Sequence, residues 1–154
     1  MTVVEIIQSM LAPGIMISAC GLLLLGMNNK YSMVVNRIRI LDEEKLRLKQ
    51  YAQDSKINQQ QEKRLNSITR QIGKLAFRVK LVRNAVVFYS IAVGFFIITC
   101  LTIGLHFVLK DLNISGAVVS LFLLGMLSVF TGIIYACLET LKGYQVISIE
   151  IKES

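Results

Sequence analysis

Two long stretches of this chain, residues 85–109 and 112–138, contain no charged residue at all. A third, residues 3–27, contains one, Glu5. A helix rises about 1.5 Å per residue, so runs of this length reach roughly 37–40 Å and can cross a hydrocarbon core of about 30 Å. In a soluble protein such runs would be core helices. Helices with almost no polar face need a large protein around them, and 154 residues do not supply one. Composition points the same way: 54% of residues are hydrophobic and 18% charged, against about 25% charged in an ordinary soluble domain. The expected fold class is therefore an all-α integral membrane protein. It has three transmembrane helices and a long, coiled-coil-like cytoplasmic helical hairpin between the first and second.

The expected boundaries follow from where charge begins and ends. Residues 1–28 form the first transmembrane helix and residues 29–84 a basic hairpin with its turn near 53–61. Residues 85–138 hold the second and third spans, joined by a short outer loop at 110–115, and residues 139–154 form a short tail. The first span is expected to be retained rather than cleaved as a signal peptide. Such peptides begin with positive charge, whereas the first basic residue here is Lys30, after the apolar run. Met1-Thr2 offers no myristoylation signal, and Cys20, Cys100 and Cys137 all fall inside spans.

Orientation follows from the basic residues. Fourteen of the 17 Lys and Arg lie in residues 28–84, against five acidic residues there, while the connection at 110–113 carries one charge of each sign. Lys and Arg close to span ends stay on the cytoplasmic side. The N-terminus and the second connection are then outside, and the C-terminal tail inside, in the cytoplasmic membrane of a cell. Tyr31, Tyr89, Tyr135 and Tyr144 fall near the inner interface, where an amphipathic ring is well accommodated. Arg37, Arg39, Lys80 and Arg83 are close enough to a span to meet anionic inner-leaflet headgroups, at about 1 kcal/mol each. Nucleic acid is not an expected partner, because the positive residues adjoin spans and no nucleic-acid motif accompanies them.

Within the hairpin, Leu65, Ile68, Ile72, Leu75, Val79 and Val82 alternate in steps of three and four and run on into Val86 and the second span. The preceding arm repeats the step at Val34, Ile38, Leu41 and Leu48, with Lys45 at an inner position. Residues 53–61 are polar and unpatterned, which suits a turn, with Asp54 or Ser55 as N-cap of the returning helix. The two stripes zip within one chain or also meet neighbouring subunits and an unidentified protein partner.

In lipid, helices associate through close packing at small residues. Gly116, Ser120, Gly125, Ser128, Gly132 and Ala136 place a long small-residue stripe on the third span, more than a minimal bundle needs, and imply a homo-oligomer. Gly14 and Ser18 form a shorter one on the first span, and Ser90 and Gly94 on the second. No cofactor or metal site is expected. The three cysteines lie at different depths, roughly 10, 22 and 2 Å from the inner ends of their spans, too far apart to converge on one ion. His106, the single histidine, lies near the outer end of the second span with no ligand set around it in sequence. The absence of charge deep in the spans argues against an active transporter or proton pump.

Met10-Leu11-Ala12-Pro13, Ile17-Ser18-Ala19-Cys20-Gly21-Leu22-Leu23, Asn28-Asn29-Lys30-Tyr31 and Asn36-Arg37-Ile38-Arg39 together carry a family resemblance. The chain resembles, over most of its length, an uncharacterised bacterial membrane family, a domain of unknown function with three predicted spans. The resemblance implies a bacterial membrane location and this topology. It implies no chemistry and transfers no functional residue. It does direct attention to the first span.

Two functions are expected to compete. The first is an oligomeric pore or ion channel lined by the first helix. Pro13 and Gly14 loosen its backbone hydrogen bonds near the outer end, Ser18 offers a hydroxyl at mid-depth, and Asn28 and Asn29 form a polar inner ring. Repeated around a ring, Glu5 forms a cation-attracting mouth, and the hairpins form a cytoplasmic stalk. The second is a non-conducting scaffold or accessory subunit that recruits a partner through the basic hairpin. An enzyme is not expected, since no nucleophile–base pair or metal set appears.

Overall fold

A computed structural model describes residues 3–54, 59–108 and 115–153, and every described residue is helical. Helix α1 spans Val3–Asp54, α2 spans Gln59–Val108 and α3 spans Ser115–Glu153. All three are long and apolar enough to cross a membrane. The first and second expected spans are not separate from the hairpin. Each continues without a break into one hairpin arm, so α1 and α2 are single helices of 52 and 50 residues.

Three expectations about the connections change. The turn expected at 53–61 loses both its ends, because Gln53 and Asp54 end α1 and Gln59, Gln60 and Gln61 already belong to α2, while residues 55–58 lie outside the described residues. Glutamine is a good helix former, so its polarity alone does not mark a turn. Asp54 is consequently a C-terminal residue of α1, not the N-cap of α2, and Ser55 lies outside the described residues. The tail at 139–154 is no separate segment, since α3 runs on through Glu153 with no proline to stop it. The outer connection at 110–115 lies outside the described residues except for Ser115, where α3 begins.

The buried positions explain why two helices this long stay together. On α1 they are Pro13, Cys20, Met27, Val34 and Leu41, and on α2 Ile68, Leu75, Val82, Tyr89 and Phe96, each series in steps of seven. Two antiparallel helices stepping by seven from one turn bring Leu41 level with Ile68, Val34 with Leu75, Met27 with Val82 and Cys20 with Tyr89. An ideal helix drifts only about 20° per seven residues, so such a series stays on the facing side for many turns. Val34, Leu41, Ile68 and Leu75 form one core layer, joined by Ile38, Leu48, Ile72 and Val79. Cys20, Met27, Val82, Ala85, Tyr89, Ala92, Phe96 and Val129 form the other. Of the expected seam, Ile68, Leu75 and Val82 are buried, whereas Leu65, Ile72 and Val79 are half-buried at its flank.

Helix α2 lies in the middle, packed on both neighbours, while α1 and α3 scarcely touch. Its second buried series, Ala85, Ala92 and Thr99, lies three residues past Val82, Tyr89 and Phe96. The approach of α3 to α2 is made at glycines. A Cβ on Gly125 would lie 2.7 Å from the Phe96 ring, and one on Gly132 would lie 2.7 Å from the Tyr89 ring. Ser128, between them, donates its Oγ hydrogen to the Phe88 carbonyl across the interface at 2.8 Å. Phe88 also stacks on Tyr135, with centroids 5.5 Å apart.

Tyr89 is therefore no interfacial anchor. It is 1% exposed, because the ring fills the space that Gly132 leaves open.

Candidate functional site

The hairpin-side ends of the three apolar runs converge on one acidic side chain. Glu139 follows directly after the uncharged stretch of α3, and its side chain is 1% exposed. A bare carboxylate at that burial costs several kcal/mol, so its partners decide whether it can be there. Arg78 of α2 donates from both Nε (3.1 Å) and Nη2 (2.6 Å) to Oε1. Lys30 of α1 donates to Oε2 at 3.2 Å and also to Thr140 Oγ1 at 3.1 Å. One residue from each helix thus meets in a single ion cluster, and Lys30 joins α1 to α3, which otherwise keep apart.

Local sequence explains each member. Lys30 is the first cation after the apolar run of α1. Arg78 stands seven residues before Ala85, in line with the buried series Ala85, Ala92 and Thr99, and its side chain reaches the third helix at Glu139. Gly143, one turn below Glu139, completes the fit: a Cβ there would lie 2.9 Å from Arg78 Nη2, where the guanidinium passes. Because Glu139 holds that guanidinium, it cannot move aside without losing its bonds. Thr140 donates its own hydrogen to the Ala136 carbonyl at 3.0 Å, which leaves its oxygen lone pairs facing Lys30.

Beside this cluster lies a groove of about 280 Å³, lined by Lys30, Met33, Val34, Arg37, Leu75, Arg78 and Glu139. It combines three cations, one carboxylate and an apolar floor. Among the expected headgroup contacts only Arg37 lines it; Arg39, Lys80 and Arg83 are exposed elsewhere on α1 and α2.

The residues proposed to line a pore do not share one face. Gly14, Ser18 and Asn29 lie on one arc of α1, in steps of four and eleven, with Asn28 beside it. Gly14 is half-buried, and Ser18, Asn28 and Asn29 are exposed. Pro13 instead belongs to the buried series that faces α2, and Glu5, though exposed, sits about a third of a turn off the arc. Helix α1 continues through Pro13. Ser18 returns its hydroxyl to the Gly14 carbonyl at 3.4 Å.

The small-residue stripe of α3 also divides. Gly125, Ser128 and Gly132 pack on α2 of the same chain, so the expectation that they face a second copy is corrected: aromatic rings of α2 already occupy that side. Ala136 is half-buried against the same core. Gly116 and Ser120 stay exposed, with nothing within 4 Å of a Cβ on Gly116.

Cys20 is buried, Cys100 half-buried and Cys137 exposed, all as free thiols. Among the described residues no group of three or more His, Cys, Asp or Glu could hold a metal ion. His106 is half-buried, with Nδ1 buried and without a hydrogen-bond partner among the described residues.

The sequence ends the third uncharged stretch just before Glu139 but does not pair that residue with Lys30 or Arg78, which lie 109 and 61 residues away. A signal for Arg78 existed: it continues the series Ala85, Ala92, Thr99, a place where an arginine needs a partner. No curated protein and no solved structure matches the chain. Residues 10–149 match the family described as "Protein of unknown function (DUF2721)", and the chain belongs to that family.

Proposed function

We propose that the chain is a three-span protein of the cytoplasmic membrane, with its N-terminus outside, whose basic hairpin serves as a rigid, non-catalytic scaffold for assembly below the bilayer. The observation that carries this reading is apolar surface left open on the hairpin. Met33, Ile40, Leu46, Tyr51 and Phe77 are 66, 51, 56, 69 and 52% exposed, in the segment that also holds most of the basic residues. Met33, Ile40 and Tyr51, in steps of seven and eleven, lie on one face of α1; an exposed apolar face in water calls for a covering partner, and a two-helix hairpin has only one internal seam with which to bury side chains. The continuous helices and the Lys30–Arg78–Glu139 cluster support the rigidity of the mounting. Coiled-coil packing of the two arms belongs to this proposal and is supported by the seven-residue steps of Val34, Leu41, Ile68 and Leu75.

Photo-crosslinkers placed at Ile40 and Tyr51 in native membranes test the scaffold. One discrete product, either a second copy or a single other protein, is expected at these positions and not at Asp42, about half a turn around α1 from Ile40. A chain that yields no product at any of them is not a scaffold of this kind.

A second reading, the oligomeric pore with a cytoplasmic stalk, is favoured by the open arc of Gly14, Ser18, Asn28 and Asn29 on α1. It loses Pro13 as a lining residue, and Gly116–Ser120 takes over as the small-residue contact between copies. Ion flux through the purified chain in liposomes separates the two readings: the scaffold conducts nothing, and a Ser18-sensitive conductance would replace it with the pore.

A further inference from the structure

We infer that the groove beside Glu139 is a binding site for the phosphate of an anionic phospholipid of the inner leaflet. The inference rests on the membrane reading above and adds a ligand to it.

The groove walls carry Lys30, Arg37 and Arg78 against Glu139 alone, a formal surplus of two positive charges (3 − 1 = 2). Glu139 does not repel an arriving anion as a free carboxylate would. Its Oε1 is taken by Arg78 and its Oε2 by Lys30, and its side chain is 1% exposed. The cations lie further out, with the Lys30 side chain 42% and the Arg78 side chain 22% exposed. Both keep donors in hand. Arg78 uses Nε and Nη2 on Glu139, which leaves Nη1, and Lys30 spends two of its three protons on Glu139 and Thr140. Arg37, two turns below Lys30 on α1, forms no ion pair among the described residues.

Glu139 therefore fixes two cations in place before any ligand arrives, and cations held in advance lose less freedom on binding. A phosphodiester offers one negative charge and two unbridged oxygens, suited to charge-assisted donors of this kind. The floor distinguishes a lipid from a free anion. Val34 and Leu75 are buried there and Met33 is exposed, giving apolar contact that inorganic phosphate cannot use but the glycerol and upper acyl carbons can. Seven residues above Lys30 on α1, Leu23 is exposed and continues the apolar path toward the span.

The full chain, purified in detergent and exchanged with micelles containing phosphatidylglycerol or phosphatidylcholine, is read by native mass spectrometry. Retention of about one phosphatidylglycerol per chain and no phosphatidylcholine is expected. Arg37→Gln, which removes no ion pair among the described residues, is expected to lower that retention about tenfold, the size of one charge-assisted hydrogen bond. Arg39→Gln, about half a turn around α1 from Arg37, is expected to leave it unchanged. Equal losses in the two variants, equal retention of the two lipids, or full displacement of the lipid by millimolar inorganic phosphate would each overturn the site. Flotation with phosphatidylcholine vesicles reads the parent proposal separately. A chain that fails to float sinks the membrane reading and this site with it, while one that floats yet retains no phosphatidylglycerol sinks the site alone.

Discussion

Glu139 and Glu44 both pair with arginine, and burial sets what each pair is worth. Glu44 meets Arg64 at 2.9 Å with side chains 38 and 55% exposed, a surface pair worth about 0–1 kcal/mol. Glu139 is 1% exposed, and removing its charge leaves Arg78 held against α3 with nothing to neutralise it. Glu139→Gln is expected to destabilise the chain by about 3 kcal/mol and Glu44→Gln by less than about 1 kcal/mol, read from thermal unfolding in detergent. The glycines divide in the same way. Gly125→Ala and Gly132→Ala drive a methyl into buried rings and are expected to cost about 1–3 kcal/mol each. Gly116→Ala, which meets open space, should stay within about 0.5 kcal/mol. That small residues matter on α3 was legible in the sequence. Which of them serve the fold was not, because the stripe reads the same whether it faces α2 or another chain.

At the scale of the helices, the seven-residue series carries the seam, which the sequence already runs on into the second span at Val86, along both arms and both spans. The polar hairpin and the apolar spans differ in composition, so a boundary near residues 28 and 84 looked natural. Packing ignores it: Val34 and Leu41 continue Cys20 and Met27, and Ile68 and Leu75 lead into Val82, Tyr89 and Phe96. A shared register couples the hairpin to the spans mechanically. Inserting one alanine after Leu81 rotates everything below it by about 100°, so the two core layers cannot both keep their contacts. Hydrogen exchange is expected to show loss of amide protection across residues 65–80 in that variant. Protection should persist when seven residues are added to each arm at matching levels. The weakness seen at Lys45 also has its explanation here: Leu41 and Leu48 carry the facing series, and Lys45 is half-buried beside it.

For the whole molecule, the row α1–α2–α3 has two broad open faces, because α1 and α3 scarcely touch. Along those faces Leu22, Leu25, Leu101, Leu127 and Phe130 are all more than 60% exposed, a surface for acyl chains or for further copies and not for water. Topology is the prediction that belongs to this scale. A cysteine at Gln60, in a chain with Cys20, Cys100 and Cys137 replaced by alanine, is expected to resist an impermeant maleimide in intact cells and to react after permeabilisation. Labelling in intact cells would place the hairpin outside and remove the orientation on which both functional readings depend.

What the sequence determined by itself was the helical class and the three apolar stretches long enough to cross a membrane, since those follow from unbroken runs of apolar residues and from charge, which are local quantities. It also carried the seam of the hairpin, because a step of three and four survives in one dimension. Only the tertiary structure decided that Glu139, Arg78 and Lys30 meet, that Tyr89 fills the place of a missing Cβ at Gly132, and that Pro13 turns toward α2. Each depends on how one helix is rotated and shifted against another, and that is set by the summed packing of all three.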